Sequence, residues 1–449
     1  MAFDMSQHMK MGALVRYTLP SIGMMVFMSL YVMVDGVFVS WCAGSEALAA
    51  VNFTFPVVML LGTVGYMMGV GGGALVAKTR GEGEEDRANR QFSMFVYVSI
   101  GLGVILTVVG LLLLRPVLVA LGAGGELLEL SITYGTILII GMVFDILQYV
   151  FQSLVMTAGK PRLGFWTTVA AGLTNITLDA LLIGVLGLGV EGAAWATIAG
   201  MAVGSVIPLV YFARPNTSPL RLGRTTIDWR ALGKGAGNGL SEMVSNISMS
   251  VVSIVYNVQL LWLMGSNGVD AYGVTMYVLF LFSGVFMGYA MGSSPLMSYQ
   301  YGAQNHAEMQ SLLKKSLGIL GLLGIAMFAI TRVALAPIAD AFVGYDAELC
   351  ALTEHALGIY SFMFLIMGFG MYGPALFTAL NNGVVSALIS FLRTFVFEIG
   401  FVLLLPALFG ADAIWYSGIL AEVTAVAISA LFVFWLRDRY GYLPGRESK

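Results

Sequence analysis

Charge is scarce in this chain. Only 10% of its 449 residues are Asp, Glu, Lys or Arg, whereas 58% are hydrophobic, and the mean hydropathy is +0.87. A water-soluble fold of this length needs far more charge to cover its surface, so the composition excludes a soluble globule and predicts a multispanning membrane protein. The net charge of -3 and the lack of long basic tracts give no support to nucleic-acid binding.

Residues that bind metals or form disulfides are also few. The two cysteines, Cys42 and Cys350, match no metal-binding motif, and the sequence leaves open whether they are paired. The three histidines, His8, His306 and His355, are isolated from one another, which argues against a metal site. The chain contains no GxxxxGK[ST] motif, so ATP hydrolysis is unsupported. We expect neither enzymatic activity nor a bound cofactor.

The first half of the chain is repeated in the second half at a constant offset. Ala50 aligns with Ala271 and Gly81 with Gly302, and both pairs are 221 residues apart (271 − 50 and 302 − 81). In transporters built from two similar units, substrate lies between the units near the bilayer midplane. The repeat therefore predicts a two-lobed architecture and indicates where a binding site lies.

Apolar segments long enough to cross a membrane occur twelve times. A span needs about 20 mostly apolar residues, and charged or glycine-rich breaks divide each half into six. The predicted helices cover residues 13–41, 47–77, 92–115, 128–155, 163–187, 190–213, 233–263, 268–299, 313–335, 351–379, 384–408 and 411–436. We therefore predict an all-α integral membrane protein with twelve transmembrane helices.

The positive charges predict how these helices are oriented. Of the 22 Lys and Arg residues, Arg115 and Arg332 lie at one face and Arg393 lies within a span, which leaves 22 − 3 = 19 at the other face. That face is predicted to be cytoplasmic and to hold both termini of a multi-pass protein of the cytoplasmic (inner) membrane. No cleavage site follows the N-terminal charges, so we expect the first span to be retained.

An even number of spans in each half predicts how the halves are related. Each half begins and ends at the same face, so the two six-helix lobes are parallel and related by a pseudo-twofold axis along the membrane normal. We predict an N-terminal lobe at residues 1–213, a cytoplasmic inter-lobe linker at 214–231, and a C-terminal lobe with a short cytoplasmic tail at 232–449. The prolines and arginines between residues 214 and 230 mark this linker.

Six acidic residues lie within the apolar spans. They are Asp35, Asp145, Asp179, Glu242, Glu398 and Glu422. A charged carboxylate at the centre of a membrane helix costs about 2.5–3.5 kcal/mol, so each one requires a reason. For all except Asp35 and Asp179, we expect a position near an interface or pairing with a cation such as Arg393.

Asp35 and Asp179 give the clearest indication of function. Both lie past the middle of outward-running helices, and each has a polar residue one turn earlier, Tyr31 and Asn175 respectively. Thr197 on the following helix can add a hydroxyl. Oxygen ligands of this kind suit a hard cation such as Na⁺, whereas a buried carboxylate can instead hold a proton. The alternative is a pair of acids that hydroxyl groups satisfy and that only fixes helix packing.

The order and spacing of several motifs resemble those of the multidrug and toxic compound extrusion (MATE) family. They are Leu19-Pro20-Ser21, Leu30 to Gly36, Arg80 to Gly83, Asn175 to Asp179, Gly302 to Asn305 and Phe377 to Gly383. The resemblance extends over essentially the whole chain. It implies secondary active export of organic cations and other amphipathic compounds, driven by the inward movement of Na⁺ or protons.

The resemblance also implies roles for individual residues, as in the prokaryotic branch that has an N-lobe cation site. The implied cation ligands are Asp35, Asn175, Asp179 and Thr197. The expected substrate-cavity residues are Tyr31, Gln152, Asn257 and Glu242. Pro20 resembles a hinge proline. The C-lobe acids of sodium-coupled relatives are not matched, because no acid follows Tyr360 on helix 10.

The repeat does not extend to the proposed cation site. At the offset of 221, Asp35 aligns with Tyr256 and Asp179 aligns with Gly400 (256 − 35 and 400 − 179). We therefore expect the site to exist once, in the N-terminal lobe.

A flippase for lipid-linked precursors, which shares the broader fold, is the alternative function. Pyrophosphate substrates need several cavity arginines or lysines, and only Arg393 lies within a span. An intramembrane aspartyl protease is disfavoured because no Gly-x-Gly-Asp motif surrounds Asp35 or Asp179. The expected partners are small cationic or amphipathic substrates and membrane lipids, and we expect a monomer. The sequence distinguishes neither Na⁺ from protons nor one substrate from another.

Overall fold

The computed structural model describes residues 4–39 and 45–443, and every regular element within these ranges is a helix. Cys42 lies outside them, whereas Cys350 is a free thiol. The helices of the N-terminal half are α1 Met11–Phe38, α2 Ser45–Gly81, α3 Glu85–Ala120, α4 Gly125–Ile140, α5 Met142–Thr157, α6 Pro161–Asp179 and α7 Gly189–Ala213. A π-helical turn, Ala180–Val185, continues α6.

The C-terminal half follows the same plan with more interruptions. Its helices are α8 Trp229–Asn238, α9 Leu240–Gly302, α10 His306–Val343, α11 Ala347–Tyr360, α12 Phe364–Ala379, α13 Gly383–Phe391, α14 Ile399–Phe409, α15 Ser417–Trp435 and α16 Arg437–Tyr440. A 3₁₀ turn, Ser361–Met363, joins α11 to α12, and a π-helical segment, Leu392–Glu398, joins α13 to α14. A second 3₁₀ turn, Ala411–Tyr416, precedes α15.

The twelve predicted spans are all present. Ten helical stretches of the described chain are long and apolar enough to cross a membrane, and α4 with α5, bent by 56°, forms another. The 63-residue α9 would be about 95 Å long at 1.5 Å per residue, three times the thickness of the hydrocarbon core. It turns at Gly265, whose φ of 70° and ψ of -158° are not helical. The count is therefore 10 + 1 + 1 = 12.

Several helices extend beyond the predicted spans. Helix α3 begins at Glu85 and α10 at His306, seven residues before the predicted starts at 92 and 313 (92 − 85 and 313 − 306). The prediction stopped at charged residues, but a helix can continue out of the bilayer because water solvates its charged turns. Helix α8 begins at Trp229, and the Asp228 carboxylate caps it by accepting from Arg230 N and Ala231 N, both at 3.0 Å.

The inter-lobe linker marks one end of the bundle, which we call the linker end. It is fixed to the N-lobe by side-chain and backbone bonds, since Lys160 Nζ donates to Thr217 Oγ1 at 2.7 Å and Arg221 N donates to Asn89 Oδ1 at 2.9 Å. The C-terminal segment lies at the same end of the C-lobe, where Gln310 Nε2 donates to the Gly441 carbonyl at 3.1 Å.

The two lobes pack closely at the linker end. Gly81 on α2 lies against the Tyr299 backbone of α9, and Gly302 on α9 lies against the Lys78 backbone of α2. These two glycines are equivalent in the repeat, so the same contact occurs twice. A side chain at either position would clash with a carbonyl group. The structure is therefore closed at the linker end.

Candidate functional site

Two glycines bring the helices of the candidate site together. A side chain at Gly172 on α6 would meet the Phe27 ring of α1 at 2.6 Å, and one at Gly200 on α7 would meet the Ala171 carbonyl of α6 at 3.0 Å. Without side chains at these positions, α1 and α7 pack directly on α6. Asp179 is the last residue of α6 and is followed by the π-helical turn, a feature that is frequent at functional sites.

Asp35 and Asp179 lie together in the half of the N-lobe away from the linker end. Asp35 faces Asp179 and Asn175 closely enough for hydrogen-bonding interaction. Asp179 is fully buried and Asn175 is 3% exposed. Within the described residues, no donor reaches either carboxylate oxygen of Asp179, Oδ1 of Asp35 or Oδ1 of Asn175. Two charged carboxylates carry no donor of their own, so a shared proton or a bound cation between them would satisfy the oxygens that lack a donor.

Tyr134 and Thr197 complete this cluster. Tyr134 on α4 is 4% exposed, and its hydroxyl faces Thr197 and lies near both Asp35 and Asp179. Thr197 Oγ1 donates to the Ala193 carbonyl at 2.9 Å, so its lone pairs remain available as ligands. The four predicted cation ligands thus occupy one region of the lobe. Sequence reasoning missed Tyr134, whose signal was a tyrosine inside the apolar fourth span.

Tyr31 and Gln152 belong to a polar region nearer the linker end. The Tyr31 hydroxyl faces Gln148, and Gln152 Nε2 contacts Met28 Sδ at 3.6 Å. Gln148 and Gln152 line a narrow slot together with Thr167, and the side-chain oxygens of these three residues have no donor within the described chain. Gln148 and Thr167 were not predicted as site residues. The slot therefore has a polar lining, although the lobe around it is otherwise apolar.

The remaining predicted residues lie on α9 and near the start of α1. Glu242 lies at the start of α9 and faces Arg393 electrostatically. Asn257 lies 15 residues further along the same helix (257 − 242), which corresponds to about 22 Å. One small ligand therefore cannot easily contact both. Pro20 lies inside α1, which is helical from Met11 to Phe38, and it is 15 residues from Asp35 (35 − 20).

The intramembrane acids of the C-lobe include a true ion pair. Arg393 donates to Glu422 Oε1 through Nε at 2.9 Å and through Nη2 at 2.5 Å, which confirms the predicted pairing for Glu422. Glu398 shares the π-helical segment with Arg393. Asp145 is different: it is 3% exposed, lies against Gly62 of α2, and has no ion pair among the described residues. Of the two alternatives expected for Asp145, the cationic partner is therefore not found among the described residues.

Comparison with protein families agrees with the duplicated architecture. The MatE family model matches residues 20–181 and again 243–404. The two matches begin 243 − 20 = 223 residues apart, close to the offset of the internal repeat, and together they cover most of the chain. The chain belongs to the MatE family. As a member of this family of transporters, it is not an enzyme.

Relatives of this MatE protein are similar over nearly their full lengths. The multidrug export protein MepA of Staphylococcus aureus (strain MSSA476) is 24% identical over 431 residues, which cover 95% of this chain and 94% of MepA. The crystal structure of MATE in complex with MaL6 has a TM-score of 0.90 at 24% identity, with 96% of each chain covered. An outward-facing multidrug resistance MATE family transporter of the MOP superfamily has a TM-score of 0.90 at 25% identity, also with 96% of each chain covered.

Proposed function

We propose that this chain is a secondary active multidrug exporter of the cytoplasmic membrane, with the linker end and both termini in the cytoplasm. It exchanges cationic or amphipathic compounds for Na⁺ or protons by alternating access. The observation that carries the proposal is the buried Asp35–Asp179 pair, in which Asp35 Oδ1 and both carboxylate oxygens of Asp179 have no donor among the described residues. MepA, which aligns with nearly the whole chain, is a multidrug export protein.

The coupling ion binds at the acid pair. Two neighbouring carboxylates repel each other when both are charged, and a shared proton or a bound Na⁺ removes this repulsion. The carboxylates, the Asn175 amide oxygen and the hydroxyls of Tyr134 and Thr197 are hard oxygen ligands, which suit Na⁺. Ion entry from outside therefore draws the ends of α1 and α6 together, whereas ion release lets them separate.

Exchange requires the ion and the substrate to favour different states. A ligand that binds both states equally shifts neither, so ion binding must disfavour the state that holds substrate. Met24, which lines the polar slot, lies on α1, the helix that also carries Asp35, so a movement of α1 affects both regions. A membrane potential contributes about 2.3 kcal/mol per charge per 100 mV to inward cation movement.

The flippase alternative receives no support from the one arginine within the spans. Arg393 is already bound to Glu422, so it is not free to neutralise a pyrophosphate. A neutral or cationic substrate, bound by a monomer, remains the better fit.

The test is efflux of a fluorescent organic cation such as ethidium from proteoliposomes under separately imposed Na⁺ and pH gradients. Asp35→Asn and Asp179→Asn each remove one negative charge at nearly constant volume, and we expect at least tenfold slower gradient-driven efflux. Glu129→Gln is the matched control, because its side chain is 68% exposed, and it should transport normally. Full transport by both aspartate variants would refute the site.

The same assay identifies the coupling ion. If Na⁺ is coupled, Asn175→Ala removes a neutral oxygen ligand and should raise the Na⁺ concentration for half-maximal efflux several-fold. If protons are coupled, this variant should leave the transport rate independent of Na⁺, and only the pH gradient should drive efflux. A response to neither gradient would exclude antiport.

A further inference from the structure

The segment Asp4–Lys10, which we call the N-terminal strap, lies across the linker end of both lobes. Its first turn is fixed by Asp4, whose Oδ1 accepts from Ser6 N at 3.0 Å and from Ser6 Oγ at 2.6 Å. Met5 and Met9 are each only 2% exposed. A polar segment that precedes the first span has thus buried two of its apolar side chains in the protein.

The strap contacts the N-lobe through Arg80 at the end of α2. Arg80 Nη1 lies 3.9 Å from Met5 Sδ and also donates to the Thr157 carbonyl at 3.0 Å. The pKa of Asp4 is below its ordinary value, chiefly because Ser6 donates hydrogen bonds to its carboxylate and, more weakly, because Arg80 is nearby. Arg80 is 8% exposed, so this contact is enclosed.

The strap contacts the C-lobe through hydrogen bonds from α9 and α10. Gln300 Nε2 donates to the Met5 carbonyl at 2.8 Å. Glu308 accepts from Met9 N through Oε1 at 2.9 Å and contacts His8 Nδ1 through Oε2 at 2.5 Å. These side chains belong to the repeat unit that does not carry the strap. In addition, Lys315 Nζ donates to the Met9 carbonyl.

Glu308 is the central residue of this contact. It lies in the first turn of α10, where a negative charge interacts favourably with the helix dipole, and Asn305 caps the same turn. An acid in this position is usually solvated, yet Glu308 is 5% exposed, and both of its oxygens bind the strap. The carboxylate has therefore exchanged water for the backbone and side chain of the opposite lobe.

We propose that the N-terminal strap is an inter-lobe latch that stabilises the state in which the linker end is closed. The strap leads into α1 at Met11 without a connecting loop, so it moves with the N-lobe. When the lobes separate at the linker end, the bonds to Gln300, Glu308 and Lys315 must break. The strength of these bonds then sets the fraction of molecules that are open at the linker end. The proposal goes beyond ion coupling and does not depend on which ion is used.

Spin-label distances across the linker end test the latch. In full-length protein with Cys42 and Cys350 replaced by serine, labels at Asp86→Cys in the N-lobe and Ala303→Cys in the C-lobe report opening, since both sites are exposed. Charge-assisted hydrogen bonds are among the stronger ones, so we expect Glu308→Ala to increase the open-to-closed ratio about tenfold.

Two further variants keep the test decisive. Replacing strap residues 4–10 with an equally long Gly-Ser sequence leaves α10 intact and should shift the ratio at least as far. Glu348→Ala removes an exposed first-turn acid from α11, which lies outside the strap contact, and should leave the ratio unchanged. Unchanged distances in both latch variants, or an equal shift in Glu348→Ala, would overturn the latch. Loss of ion coupling in the efflux assay would not affect this result.

Discussion

The Arg393–Glu422 pair predicts a large and specific effect on stability. The Arg393 side chain is 13% exposed and that of Glu422 is 5% exposed, so Glu422→Gln removes the one ion-pair partner that the buried guanidinium has among the described residues, and arginine does not deprotonate in proteins. Removing one partner of a buried pair costs about 3–5 kcal/mol. Both donors bind Oε1, while Oε2 has no donor among the described residues, so we expect the low end, about 3 kcal/mol, or about a hundredfold in the unfolding equilibrium.

The measurement is the free energy of unfolding in detergent, followed by tryptophan fluorescence during titration with SDS. The double variant Arg393→Met/Glu422→Leu removes both charges and should return to within about 1 kcal/mol of the parent, because apolar replacement of a buried pair is often nearly neutral. The control is Arg115→Gln, since Arg115 and Glu129 are 3.7 Å apart and each is 68% exposed, and it should have little effect. Parental stability of Glu422→Gln would refute the reasoning.

Two further substitutions test the turn and the ion site. Gly265→Ala should destabilise the turn between the seventh and eighth spans by about 1–3 kcal/mol, because φ there is 70°. The same unfolding titration should show a smaller effect for the control Gly273→Ala, because Gly273 lies within a helix and has open space around it. Tyr134→Phe should weaken coupling-ion affinity several-fold in the efflux assay by removing the hydroxyl that faces Thr197, and unchanged ion dependence would exclude Tyr134 as a ligand. Tyr97→Phe, on a side chain 44% exposed, should behave as the parent.

Local spacing was sufficient where a helix alone decides which residues share a face. Asn175 lies one turn before Asp179, and the cluster that contains them matches the prediction. The same reasoning could not find Tyr134, because its contact with Thr197 joins two different helices. It also assigned Glu242 and Asn257 to one substrate cavity, and these residues are 15 positions apart along α9 (257 − 242).

Pairing of charges was likewise beyond the sequence. The sequence offered several intramembrane acids as ion-pair partners for Arg393. Only the packing of the helices places Glu422 against it. Asp145 was expected near an interface or beside a cation; it lies against Gly62 of α2 and has no ion pair among the described residues. The choice depends on which faces of separate helices meet, and one helix's periodicity contains no information about that.

The sequence by itself determined the membrane class, the twelve spans and the duplication, because each follows from hydropathy along the chain and from its repetition. Only the tertiary structure decided that the linker end is closed and that the strap residues before Met11 bind Glu308, about 300 positions away. Burial of a short polar segment depends on two surfaces that form only after both lobes have folded. The repeat predicts that the lobes are alike, and the strap and the acid pair are where the folded lobes differ.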